Sequence, residues 1–195
     1  MIAIIDYGAG NIFSVKNALD YLGVENKLTA DKNEICAADE IILPGVGAFP
    51  WAMKMLRDSG LVDTIREEAR KKPFLGICLG MQLIFDKGYE FEETDGLRLI
   101  GGKVEKIDRK DMIIPHMGWN ELEINRDCPI LKGLPEHPYV YFVHSYAAVC
   151  DDANVSAYCD YGGKITALVH DGAYVYGAQF HPEKSGEVGL QMLRN

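Results

Sequence analysis

An apolar run, Pro73-Phe74-Leu75-Gly76-Ile77, leads directly into Cys78, with Gly80 two places further on and Met81-Gln82 continuing as a helix-compatible stretch. No other segment constrains the fold as strongly. A Gly-x-Cys-x-Gly turn between a strand and a helix is the thiol form of a nucleophile elbow, in which a sharp bend lifts one side chain clear of a sheet. Glycine stands on both sides of the cysteine because a Cβ at either place would strike neighbouring backbone in so tight a bend. A helix start behind the sulfur favours the thiolate, the form that attacks carbon. The plain alternative is a buried core cysteine between loop glycines, so the rest of the chain has to decide.

The order of the surrounding elements fits an elbow. Ile2 to Ile5 is a short buried strand followed by a Gly8/Gly10 turn. Ile12, Val15, Leu19 and Leu22 recur at helical spacing, and Asn11 stands where an N-cap belongs. Further strands are expected over Glu25 to Thr29 and Glu40 to Leu43, the latter stopped by Pro44-Gly45, with helices over Phe49 to Arg57 and Leu61 to Lys71. Alternating strands and helices, with strands apolar throughout, predict a parallel sheet covered on both faces.

The second half changes character. Leu97 to Ile107 carries Gly101-Gly102 and suggests hairpin-like β structure; Tyr139 to Val143, Ile165 to Val169 and Tyr174 to Phe180 read as strands. Asp171-Gly172 marks a tight turn, and Ser185 to Leu193 closes the chain as a helix. The expected fold is therefore α/β: a mostly parallel central sheet flanked by helices, with a smaller antiparallel extension in the second half. No repeat, linker or low-complexity tract interrupts residues 1–195, which read as one domain. In open α/β sheets functional groups gather at the carboxyl ends of strands, and Asp6 to Asn11, Pro44 to Ala48, Cys78 and His181 all fall at such ends.

Composition removes several classes of function. A net charge of −9 without any Lys/Arg run argues against an electrostatic hold on nucleic acid or an anionic membrane. Met1-Ile2-Ala3-Ile4-Ile5 has no basic leader and stops at Asp6, so it reads as a strand and not as a signal peptide. The five cysteines, at 36, 78, 128, 150 and 159, are odd in number and fit no zinc spacing. Free thiols in a reducing cytoplasm, with no metal and no cofactor, are expected.

A cysteine nucleophile near neutral pH needs an imidazole partner. Of the five histidines, His181 in Ala178-Gln179-Phe180-His181-Pro182-Glu183 sits at a strand exit where proline turns the chain. Glu183 follows two residues later and can hold the ring in one tautomer, as the acidic member of a triad does. A surface His-Pro turn with a solvated glutamate is the alternative. His144 is the rival base, since it also ends an apolar strand before Ser145-Tyr146, but no carboxylate adjoins it. Pro44-Gly45-Val46-Gly47-Ala48 follows a strand, and its glycines can present backbone N–H groups to a developing oxyanion.

Pro-Gly-x-Gly, then Gly-Ile-Cys-Leu-Gly-Met-Gln, then His-Pro-Glu near the end, together resemble the class I, triad-type glutamine amidotransferases across nearly the whole chain. Four segments are similar, more narrowly, to the glutaminase subunits of imidazole glycerol phosphate synthases. They are Asp6-Tyr7-Gly8-Ala9-Gly10-Asn11, Pro44 to Phe49, Pro115-His116-Met117-Gly118-Trp119-Asn120 and His181 to Ser185. The resemblance implies that Cys78 attacks the side-chain amide of L-glutamine, that His181 moves the proton and that Glu183 orients His181. It implies oxyanion donors at Leu79 and along Gly45-Val46-Gly47, and substrate contacts from Gly45, Gln82, Glu90, Ser145 and Tyr146. Many relatives carry glycine where this chain has Val46, so a peptide flip is harder here and the oxyanion hole is expected to be unformed at rest. A (β/α)₈-barrel cyclase subunit is the implied partner, with Asn11, Trp119, Tyr141 and Lys184 at the docking face. Ammonia would pass through a shielded channel to make imidazole glycerol phosphate and AICAR in histidine biosynthesis.

Three other readings compete. A cysteine peptidase or chaperone-like α/β protein shares the elbow but is not expected to combine Gly-Met-Gln after the cysteine with a late His-Pro-Glu. A non-catalytic binding subunit is opposed by the intact Cys78, His181 and Glu183. The glutaminase of another pathway is the nearest rival, and the segments at 6–11 and 115–120 argue for histidine biosynthesis.

Overall fold

A computed structural model describes residues 1–195. Its centre is an eight-stranded sheet, ordered Asn26–Thr29, Ile2–Ile5, Glu40–Gly45, Phe74–Cys78, Val175–Ala178, Lys164–His170, Val155–Asp160 and Glu123–Ile124. The first five strands run parallel and the last three pairings are antiparallel. The α/β fold with a mostly parallel sheet and an antiparallel extension agrees with the sequence reading.

Strand composition explains the placement. Every residue of Ile2–Ile5 and Phe74–Cys78 is buried, as expected for strands covered on both faces. Alternate residues feed two separate cores of 25 and 23 residues: Ile5, Ile41 and Leu43 face one, Ile4 and Ile42 the other. The first core is covered by Phe49–Asp58 and Val62–Glu68 through Met53, Leu56 and Ile65. The second is covered by Ile12–Tyr21 and Gly186–Arg194 through Val15, Leu19 and Met192. Two smaller sheets complete the molecule. One pairs His116–Glu121 with Tyr139–His144; the other is ordered Tyr146–Cys150, Gly102–Lys106, Lys87–Gly88, Thr94–Asp95.

Several expectations change. The strand from Glu40 does not stop at Pro44 but runs through Gly45. Its pairing with Ile2–Ile5 ends at Ile42, so beyond that point one edge is open and a residue without an N–H breaks no ladder bond there. Gly101-Gly102 makes no hairpin; Gly102–Lys106 pairs with the distant Tyr146–Cys150. Asn11 precedes the first helix, but its side chain makes no capping bond. A short helix at Lys32–Ala37, capped by the Asp31 carboxylate on the Asn33 and Glu34 N–H groups, was not foreseen. The turn after His170 is as expected: the Asp171 carboxylate accepts from the Ala173 and Val175 N–H groups, and the flanking strands pair antiparallel.

Candidate active site

The elbow is built from backbone in contact with backbone. Cys78 stands at φ 55°, a left-handed conformation that few side chains adopt, between the strand Phe74–Cys78 and the helix Leu79–Leu83. That helix must lie almost on the sheet. A Cβ on Gly80 would come within 1.9 Å of the Leu43 carbonyl oxygen, and one on Gly76 within 2.6 Å of the Gly80 oxygen. A Cβ on Gly45 would meet the Gly80 nitrogen at 2.7 Å, so only glycine fits at all three. The helix has five residues, so the strained turn and not a long dipole dominates the surroundings of the sulfur.

Cys78 is 93% buried by the fold and opens on a cleft of about 350 Å³ lined by Val46, Gly47, Leu79, Gln82, Glu90, Pro115, Val143, His144, Ser145, Tyr146 and His181. The sulfur and the His181 imidazole, 103 positions apart in the chain, thus share one cavity at the carboxyl ends of adjacent parallel strands. His181 Nδ1 lies 2.8 Å from Glu183 Oε1, and both side chains are nearly sealed from solvent. The Nε2 atom, buried, makes no hydrogen bond at full geometry. Burial alone would lower the pKa of this ring. The Cys78 sulfur on the open side of the ring and the Glu183 carboxylate on the other outweigh it and push the value up to about 9. The ring is locked from behind, because its own backbone N–H donates to the Tyr141 carbonyl and its carbonyl accepts from Ser185 Oγ at 2.6 Å.

His144, the rival base, also faces the cleft but neither of its ring nitrogens is free. Nδ1 lies 2.8 Å from the Tyr146 carbonyl and Nε2 lies 3.0 Å from His116 Nδ1. Burial pushes its pKa down to about 4, against the small upward pull of the Tyr146 carbonyl. His181, with one nitrogen anchored and the other open, is the ring equipped to accept a thiol proton.

The remaining residues singled out from the sequence fall into two groups. Val46, Gly47, Leu79, Gln82, Glu90, Ser145 and Tyr146 line the cleft, and Gly45 pairs with Cys78 one step behind it. Glu90 is partly committed, since Oε2 accepts from the Phe49 N–H at the start of a helix. Gln82 is committed as well: its amide donates to the Tyr146 carbonyl at 2.9 Å and to Gln179 Oε1 at 3.1 Å. Asn11, Trp119, Tyr141 and Lys184 lie outside the cleft. Trp119 is 54% exposed and packs edge-to-face on Tyr141, and Lys184 is exposed.

Two residues escaped sequence reasoning. Gln179 is fully buried, with its amide nitrogen 3.9 Å from the Cys78 sulfur. A polar residue closing the apolar run Val175–Ala178 was the available signal. His116, also fully buried, touches the cleft only through His144. No three His, Cys, Asp or Glu side chains form a metal-holding group. No helix is long and apolar enough to cross a membrane.

Comparison with known proteins bears on this geometry. Residues 3–195 match the family model of glutamine amidotransferase class-I. The chain is 52% identical over 196 aligned residues to the imidazole glycerol phosphate synthase subunit HisH of Bacillus cereus (strain G9842). It is 50% identical to the HisH subunit of Bacillus anthracis (strain A0248). Both alignments span 100% of this chain and 93% of the relative. Among solved structures, a crystal structure of a glutamine amidotransferase superposes with a TM-score of 0.76 at 22% identity, covering 100% of this chain and 98% of that one. PurLQS from Thermotoga maritima superposes with the same score and identity, covering 99% and 95%. At that identity the superpositions speak for the fold.

Proposed function

The chain belongs to the class-I glutamine amidotransferases, and we infer that it is the glutaminase subunit of an imidazole glycerol phosphate synthase. It hydrolyses glutamine to glutamate and ammonia. All 195 residues act as one amidotransferase domain, working in the cytoplasm beside a cyclase subunit with a (β/α)₈-barrel fold. The observation that carries the reading is the His181 ring, anchored to Glu183 at 2.8 Å and unpartnered at Nε2, in the same cleft as Cys78.

The chemistry follows from that arrangement. His181 Nε2 takes the thiol proton, and the sulfur attacks the side-chain amide carbon of glutamine, forming a C–S bond as the carbonyl π-pair moves to oxygen. The oxyanion is met by the Leu79 N–H and by an N–H of the Gly45-Val46-Gly47 segment. Val46 keeps a negative φ whereas Gly47 has φ 102°, so turning the peptide between them costs more than it would at two glycines. On collapse the C–N bond breaks and His181 gives its proton to the departing nitrogen. Water, activated by the now neutral ring, then cleaves the thioester to glutamate. Glu183 stabilises the imidazolium throughout. Glu90 holds the substrate ammonium, and Gln82, Ser145 and Tyr146 hold the amino-acid end.

Ammonia is mostly ammonium near neutral pH and then cannot attack, so it has to travel shielded to the cyclase. Asn11, Trp119, Tyr141 and Lys184 form the docking face for that subunit, where the exposed Trp119 packed on a half-buried Tyr141 suits a protein partner. The test follows glutamate release from glutamine, with and without the cyclase subunit and its nucleotide. Slow turnover alone, a large rise in the complex and complete loss in Cys78→Ala are expected. Equal rates with and without partner would remove the dependence on assembly, and peptide cleavage in place of amide hydrolysis would remove the assignment.

A further inference from the structure

Behind the cleft, four groups form a chain of hydrogen bonds that the mechanism above does not use. The Tyr146 carbonyl accepts, so His144 Nδ1 at 2.8 Å carries a hydrogen. A neutral His144 then offers a bare Nε2, and its neighbour at 3.0 Å, His116 Nδ1, has to be the donor. That leaves His116 Nε2 bare, 2.8 Å from the side-chain amide of Asn120. The amide is placed with Oδ1 toward the ring and Nδ2 toward the Asp160 carbonyl at 3.2 Å. A neutral chain requires the amide to turn so that Nδ2 faces His116, which gives up the 3.2 Å bond to the exposed Asp160 carbonyl. Burial lowers the pKa of both rings, and positive charge on His116 or on the nearby His181 would push His144 lower still, so the neutral chain prevails. Every donor then points the same way: Asn120 to His116, His116 to His144, His144 to Tyr146.

We propose that His116 is a positioning residue for the glutamine-binding strap, fixing His144 as the Nδ1–H tautomer whose N–H holds the Tyr146 carbonyl. That carbonyl also receives the Gln82 amide at 2.9 Å, so both its lone pairs are used by buried donors. The peptide that follows Ser145 and Tyr146, which line the cleft, is thereby held in one orientation. His116 is itself fixed: its ring is clamped between Phe142 at 4.7 Å and Tyr161 at 3.9 Å, stacked on both. The proposal rests on the glutaminase reading for its substrate, but its tautomer claim does not.

Two measurements test it. Ring ¹⁵N shifts of the full-length chain should show His144 protonated at Nδ1 and bare at Nε2, and His116→Phe, which keeps the stacking, should mix the two tautomers. In the complex with the cyclase subunit, His116→Phe should raise KM for L-glutamine about tenfold while kcat changes less than about threefold. His116→Asn, which retains a donor near the Nδ1 position, should recover most of that loss. A wild-type His144 protonated at Nε2 overturns the proposal. So does an unchanged KM in His116→Phe, or equal losses in the Phe and Asn variants, which would mark a packing role only. Should wild type release no glutamate, the functional reading falls and the tautomers still decide the proposal; should His116→Phe fail to fold, the wild-type shifts of His116 decide, since a ring bare at Nδ1 gives His144 no donor and overturns the proposal.

Discussion

His181 and His144 open on the same cleft from the ends of strands in two different sheets, yet their surroundings drive the two imidazoles apart. One has a buried carboxylate at its back and a sulfur before it, and its pKa rises to about 9. The other has a carbonyl on one side and a second imidazole on the other, and falls to about 4. Burial acts downward on both. What separates them is whether a negative partner shares the buried space: His181 has two, the Cys78 sulfur and the Glu183 carboxylate, and His144 has none. A histidine facing a cleft is thus readied to hold a proton or to stay neutral according to what sits behind its ring.

The sharpest way to break this contrast is substitution of each ring in the complex. His181→Asn is expected to cut kcat for glutamate release at least about ten-thousandfold, whereas His144→Asn should stay within about tenfold. Comparable losses would erase the distinction. Glu183→Gln keeps the shape but removes the charge, so kcat should drop about a thousandfold. In the same variant an NMR titration should find His181 ionising well below its wild-type value; an unmoved titration would show that Glu183 is not the cause.

Stability against pH carries both signs at once. His181 binds its proton more tightly in the folded state than the ordinary imidazole at 6.5. Its contribution is complete below 6.5 and is lost as pH rises through about 9. His144 binds less tightly when folded, so its contribution is complete above 6.5 and is lost as pH falls through about 4. Each amounts to roughly 3 kcal/mol. Urea unfolding from pH 4 to 9 should therefore peak near 6.5, with the alkaline loss absent in His181→Asn and the acid loss absent in His144→Asn. The smallest effect expected is in Ser185→Ala, which removes the hydroxyl bonded to the His181 carbonyl and to the Tyr141 N–H. About 1–2 kcal/mol of unfolding free energy should go, read from the urea midpoint.

The parallel half of the fold was legible because its signals are local: continuous apolar strands, helical spacing and an elbow whose glycines have a steric reason. The contact between His181 and Glu183 was legible because the carboxylate sits two residues from the ring. Gln179 and the His116–His144 pairing were not, since the first arises where the chain beyond Val175–Ala178 meets the elbow and the second across the ribbon of His116–Glu121 with Tyr139–His144, and periodicity within one segment carries no information about such meetings. The strand at Val155–Asp160 was missed for the same reason, being defined by a partner with register shifts between them. Pro44 misled because a proline stops a strand only where its missing N–H would have had a partner.

The three glycines where the elbow rests on its neighbours have a consequence for divergence. With main chain touching main chain, no substitution can nudge the sulfur by a fraction of an ångström; a side chain there would pry the two layers apart. The wall carrying Cys78 and Gly45 is in effect immovable masonry. Any drift toward a different amide substrate has to be carved from the opposite wall, at Glu90, Ser145 and Tyr146, where side chains rather than backbone set the shape.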